Sequence, residues 1–203
     1  MQALDKYLDL FQQNREKIGR DDSPYMKELR ERALASFRQD GFPLRKEERY
    51  KYIHLEPVFD GELNFDFQPR PILFDEAEIF RCDVPLLDSN VVTVLNGFFH
   101  SPEQEVLTTM ENGIIYGSLK EAMNQYPDLV EKHLGKNAPT DDEPFVALNT
   151  AFSQDGVFLY VPEGVRMERP IQIINLLLSD KNQMVQHRNL FVLERNAEAQ
   201  VII

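Results

Sequence analysis

The 203-residue chain is long enough for one large domain or two small ones with a buried core. Its 22 Lys and Arg against 34 Asp and Glu give a formal net charge of −12, which argues against a phosphate backbone or an anionic lipid surface as partner. The lone cysteine, Cys82, rules out an internal disulfide framework and fits a reducing, cytoplasmic setting. The opening "MQALDKYLDLFQQNREKIG" has the acids and regular polar positions of a helix, unlike a secretory or transit leader. The longest apolar stretch, around "IQIINLLL", is too short to span a bilayer.

Leu4, Tyr7, Leu8 and Phe11 form the apolar stripe of a first helix. Ser23 then offers an N-cap with Pro24 at the first helical position. Met26, Leu29, Ala33 and Phe37 continue a second helix, which Gly41 and Pro43 stop; the pair makes a helical hairpin over about residues 2–40. "RKEERYKYIHL" is dense in charge and reads as a solvated helix face, and prolines at 57, 69, 71 and 85 punctuate short extended pieces after it. "NVVTVLNGFF" predicts a strand followed by an Asn-Gly hairpin turn, and "GIIYGSL" another short strand. Ser118 and Glu121 have capping-box spacing and open a helix that Pro127 divides and Gly135 ends.

"GKNAPTDDEP" has the composition of a linker, which places a boundary between an amino-terminal domain, residues 1–136, and a second one, residues 137–203. Phe145, Leu148 and Phe152 recur at helical intervals, then Asp155-Gly156 turns the chain into nearly continuous β-formers. "VFLYV", "PIQIINLLL", "RNLFVLE" and "AQVII" follow one another with short polar connections and no helix between them. A parallel sheet normally needs long crossovers, whereas a solenoid returns by short turns after each strand. An antiparallel sandwich accounts for the pattern equally well, and no exact short repeat of fixed period appears.

"FVALNTAFSQDGVFLYVPEGV" followed by "RPIQI" resembles a segment of the SufB/SufD family of iron–sulfur cluster assembly proteins, and "RNLFVLERNAEAQVII" resembles the next rungs of the same domain. "GFPLRKEERYKYIHL" looks like that family's amino-terminal motif, with Tyr50 and Ile53 where the family usually carries Trp and Thr. The resemblance implies an α+β fold: a helical and mixed amino-terminal domain, then the first rungs of a right-handed parallel β-helix, with the 145–152 helical turn as a cap. It also implies that the sequence stops inside that β-helix, without the terminal helices that bind an ATPase. The short spacing from the motif to the first residue favours the SufD-like branch. The role implied is a non-catalytic scaffold in a SufBCD complex, with a SufB-like subunit and a SufC-like ATPase as partners and the cluster held only by the full assembly. A stack cut between rungs is further expected to self-associate or fray through residues near 188–203.

The chemistry-bearing residues give little to an enzyme. Pro162, Gly164 and Met167 follow the spacing of a cupin metal motif, but Met167 stands where the histidine ligand belongs, and a thioether does not replace imidazole at a nitrogen- and oxygen-rich site. His54, His100, His133 and His187 are scattered, with no HExxH pair and no ligand spacing to Cys82. Cys82 sits among acids that disfavour a thiolate. No P-loop is present, so ATP has to be brought by another subunit. Arg45, Lys46, Glu47, Glu48 and Lys51 are the candidates for docking a partner. No catalytic, cofactor-binding or metal-binding residue is assigned; the alternatives are a cupin-like metal-dependent enzyme and a β-helix enzyme acting on a polysaccharide.

Overall fold

The computed structural model describes residues 2–43, 45, 47–70, 88–101, 105–141 and 143–203; Lys46, Cys82, Pro71 and Pro85, with the extended pieces expected around them, lie outside the described residues. Helix α1 (Gln2–Ile18) buries Tyr7 and Phe11 from the expected stripe. Helix α2 (Pro24–Asp40) starts as its sequence predicts: the Ser23 hydroxyl oxygen accepts the Met26 N–H at 3.2 Å, and the Gly41 N–H closes the other end on the Phe37 carbonyl. Its closest neighbour is not α1 but α6 (Pro144–Phe152).

Between these helices the aromatic side chains meet edge to face. Tyr7 presents to Phe42, Phe59, Phe65 and Phe152, and Phe11 packs on Phe152 with centroids 5.6 Å apart. Each such ring contributes about 1.5–3 kcal/mol by leaving water, so this cluster is the main reason the helical layer holds together. The charged stretch after Pro43 corrects the helical reading. Its residues 47–52 form turns, with Tyr50 N–H on the Glu47 carbonyl and Ile53 N–H on the Tyr50 carbonyl, both at 2.9 Å. Tyr50 is drawn inward onto Phe145 and Glu143, and that tertiary anchor overrides the helix propensity of the charged residues around it. Helix α3 (Glu56–Asp60) begins only where Pro57 suits a first turn.

Strand β1 (Asn90–Leu95) and β2 (Phe98–His100) form the predicted hairpin, turned at Asn96-Gly97 with Asn96 at φ 48°. The Asn96 side chain also behaves like a short piece of strand, donating to the Leu178 carbonyl at 2.9 Å and accepting the Leu178 N–H at 2.8 Å. Strands β3 (Leu107–Thr109) and β4 (Ile115–Ser118) make a second antiparallel pair. Helices α4 (Leu119–Gln125) and α5 (Pro127–His133) follow, divided at Pro127 as expected. The capping box is only half built. Ser118 Oγ accepts the Glu121 N–H at 3.0 Å, but the Ser118 N–H is already taken by the Val106 carbonyl, so the Glu121 carboxylate turns to Gln125 instead.

Strands β5 (Val157–Val161), β6 (Ile171–Leu176), β7 (Leu190–Leu193) and β8 (Val201–Ile202) complete two mixed sheets, in the orders β2-β1-β6-β8 and β3-β4-β5-β7. Consecutive strands from β5 to β8 alternate between the sheets, and each pairs in parallel with the strand two places on. Parallel pairing disposes of the antiparallel sandwich, and the described strands close into no barrel. At the other edge of each sheet, β2 and β3 run antiparallel to their neighbours. Strands on the two sides of residue 136 share sheets, since β1 pairs with β6 and β4 with β5. Strand β5 is covered on both faces: Val157, Leu159 and Val161 meet Val94, Ile114 and Ile173, while Phe158 packs with Met26, Leu29 and Ala122.

Candidate functional site

The acidic residue at the register change is the best-connected side chain of the sheets. Asp155 precedes β5, is buried, and reaches three elements at once. Its Oδ1 accepts the Ser118 hydroxyl at 2.9 Å and the Lys120 N–H at 3.0 Å; its Oδ2 accepts the Phe99 N–H at 3.0 Å. Its carbonyl accepts the Arg188 N–H at 3.0 Å. The carboxylate therefore sits where α4 begins, supplying acceptors to amides that a helix start leaves unpaired. Burial pushes its pKa up, opposed by hydrogen bonds from the Lys120, Gly156 and Phe99 amides and the Ser118 hydroxyl. Nearby His187 is held below the usual imidazole range by burial, with the Asp155 charge opposing.

Serine, aspartate and histidine together invite comparison with a nucleophilic triad. The order of contacts is wrong for one. Ser118 gives its proton directly to Asp155 and spends its oxygen on the Glu121 amide, so no imidazole stands ready to take that proton. Ser118 and Asp155 organise backbone.

A second buried polar group ties the helices to each other. Arg30 lies inside the apolar stripe of α2 and forks onto Asp22, with Nε to Oδ2 at 2.7 Å and Nη2 to Oδ1 at 3.2 Å. Its Nη1 donates to the carbonyls of Thr150 and Ala151 at 3.3 and 2.9 Å, at the last turn of α6, where acceptors are left over and positive charge is favoured. Both partners are nearly out of contact with water, at 4% and 8% side-chain exposure. Asp22→Asn keeps the shape but removes the charge that balances the guanidinium, and is expected to destabilise the chain by about 2 kcal/mol in urea denaturation. A loss below about 0.5 kcal/mol, the range of ordinary surface changes, would show that the pair is dispensable.

The residues singled out in the sequence are dispersed. Met167 is buried among Val94, Leu159 and Ile171 and fills core, and Gly164 sits in a turn at φ 71°. His54 is exposed, His133 belongs to the last turn of α5, and His100 ends β2. Among the described residues, no three His, Cys, Asp or Glu side chains converge as a metal site would require. Arg45, Glu47 and Glu48 are exposed, and Lys51 pairs with Glu48 while lying 5.0 Å from the centre of the Tyr52 ring. The Tyr50 hydroxyl donates to Glu143, and burial, then that carboxylate, pushes its pKa up to about 12. Asp155 and Arg30 were missed as organisers. Their signal was available: an arginine four residues after Met26 on a buried stripe, and an acid set between Phe152 and Val157.

Compared with known families, residues 1–173 match the profile of the SufBD protein N-terminal region. The chain belongs to the SufBD family. It is 30% identical over 187 residues to the iron-sulfur cluster assembly SufBD family protein ABCI9 of Arabidopsis thaliana, covering 84% of this chain and 39% of that one. A shorter match, 48% over 56 residues, relates it to the SufBD family protein slr0074 of Synechocystis, covering 28% of this chain and 12% of the other. The iron-sulfur cluster assembly protein SufB of Bacillus subtilis is 30% identical over 90 residues, 44% of this chain and 19% of SufB. The chain thus spans at most about two fifths of the length of these curated relatives. Among the described residues no helix is long and apolar enough to cross a membrane.

Proposed function

We propose that this chain is the amino-terminal part of a SufD-like scaffold subunit of a cytoplasmic iron–sulfur cluster assembly complex, and that it positions partners without carrying out a reaction. The observation that carries the reading is the stack itself. β5 to β8 alternate between two sheets with parallel pairing two strands apart, which supports a parallel β-helix opening at Gly156, right-handed as the family resemblance implies. A SufBD amino-terminal profile over residues 1–173, which ends within β6, and relatives named for iron–sulfur cluster assembly support the pathway. The best-connected polar groups, Asp155 and Arg30, are buried and spent on backbone and on the side chains of Ser118 and Asp22, as in a frame. The cluster belongs to the assembly, and this portion brings no cofactor of its own.

The partners proposed are a SufB-like subunit and a SufC-like ATPase. Affinity purification of the tagged full-length protein is expected to bring down both partners. Recovery of neither would overturn the scaffold role, and recovery of a SufD-like protein in place of a SufB-like one would reassign the branch.

A further inference from the structure

A cavity of about 290 Å3 opens in the crook of the helical hairpin, between the end of α1 and the beginning of α2. That volume lies at the small end of ligand sites, which run from about 300 to 1,000 Å3. Phe11, almost wholly buried in the aromatic cluster, forms part of its wall, and the carbon stems of charged side chains from both helices form much of the rest.

Four of those charges cancel locally. Arg15 pairs with Glu31 across the two helices, and the buried Arg30 pairs with Asp22. Two do not. Glu16 and Lys27 also line the cavity, and neither pairs with another of the described residues. The lining is therefore neutral as a whole but holds one free carboxylate and one free ammonium. Each also stands at the end of its own helix that disfavours it, the acid in the last turn of α1 and the lysine in the first turn of α2. A small molecule that brings an ammonium to Glu16 and a carboxylate to Lys27 meets both charges at once. A singly charged one leaves the other unmet. Between the two charged ends, Phe11 and the carbon stems suit an apolar body better than a polar one.

We propose that this cavity binds a free amino acid in its zwitterionic form, one with an apolar side chain. Its ammonium sits on Glu16, its carboxylate on Lys27, and its side chain points toward Phe11. Every residue of the lining falls between positions 11 and 31, so one helical hairpin supplies the whole site. The inference goes beyond the scaffold reading and does not rest on it.

L-Leucine is the probe, titrated against the full-length protein and followed by saturation-transfer-difference NMR. Two analogues each lack one charge: isocaproate has no ammonium, and isoamylamine has no carboxylate. L-Leucine is expected to bind saturably and about fivefold more tightly than either analogue, the scale of one exposed ion pair. The strongest transfer is expected at its methyl groups. Lys27→Met should erase the advantage over isoamylamine and keep the advantage over isocaproate; Glu16→Gln should do the converse. Both side chains are exposed, and a circular dichroism melt verifies that each variant folds. Equal affinity for the three compounds overturns the proposal, as does saturable binding of none. Leucine binding that neither variant alters also overturns it, because the site would then lie elsewhere.

Discussion

Gly156→Ala is expected to destabilise the chain by about 4 kcal/mol or more. A methyl group built on Gly156 lies 1.9 Å from the Arg188 carbonyl oxygen and 2.6 Å from its carbon, and both belong to backbone. No rotamer change relieves such a clash. The segment before β7 must move away from the start of β5, and the Arg188 N–H bond to Asp155 and the Val157 N–H bond to the Asn189 side chain go with it. A cost on the order of 4 kcal/mol or more follows, against a total stability of about 5–15 kcal/mol for a typical domain. Gly164→Ala is the control. That residue also has a left-handed backbone, at φ 71°, but an added methyl meets nothing within 4 Å, so only conformational strain of about 1 kcal/mol is expected. Chemical denaturation followed by circular dichroism separates the two. Gly156→Ala within 1 kcal/mol of the parent chain would mean that β5 and β7 are not apposed as described.

Asp155→Ala carries the second large effect. It strands the Phe99 and Lys120 amides and the Ser118 hydroxyl without their acceptor, each at about 1–3 kcal/mol, so a loss of about 4 kcal/mol is expected in the same assay. Asp155→Asn retains the shape but turns one acceptor into a donor facing N–H or O–H groups, and should cost about half as much. The pH dependence gives an independent check. Because burial raises the folded-state pKa above the unfolded value of about 3.9, the native chain holds a proton that the unfolded chain has lost between those two values. This group's contribution is full below the unfolded value and is lost as pH rises through the folded one. The stability gap between the parent chain and Asp155→Asn should therefore widen on acidification. A gap that narrows would show that the hydrogen bonds to the ionised carboxylate outweigh its desolvation.

Local signals were legible where one residue controls one piece of backbone. Ser23 with Pro24, the Asn96-Gly97 turn and the Pro127 break all appear where the side-chain chemistry predicts them. The change from helix to strand between Phe152 and Val157 was equally plain, because apolar spacing moves from three and four to nearly continuous. The charged stretch around Tyr50 was misread because Glu143 and Phe145, almost a hundred residues away, decide its shape. Strand direction was undecided in the sequence for a related reason. Phe158 pairs with Leu190 and Arg166 with Glu198, and between the two segments only apolar character, one left-handed residue (Gly164 and Asn196) and a pair of charges with inverted signs are kept. A search for identical letters passes over that likeness. The organising roles of Asp155 and Arg30 likewise depend on Ser118, Thr150 and Ala151, partners that no local pattern announces.

The opposed directions of β2 and β3 at the far margins of the two sheets have a temporal meaning. Strands β1 and β5 each run antiparallel to one neighbour and parallel to the other, so the change of direction is made inside each sheet, ahead of β7 and β8. The antiparallel side is encoded first. As the ribosome releases the chain, β1 and β4 are already available as a template when β5 and β6 emerge, and these in turn receive β7 and β8. The order in which the strands leave the ribosome is thus also the order in which their pairing partners become available.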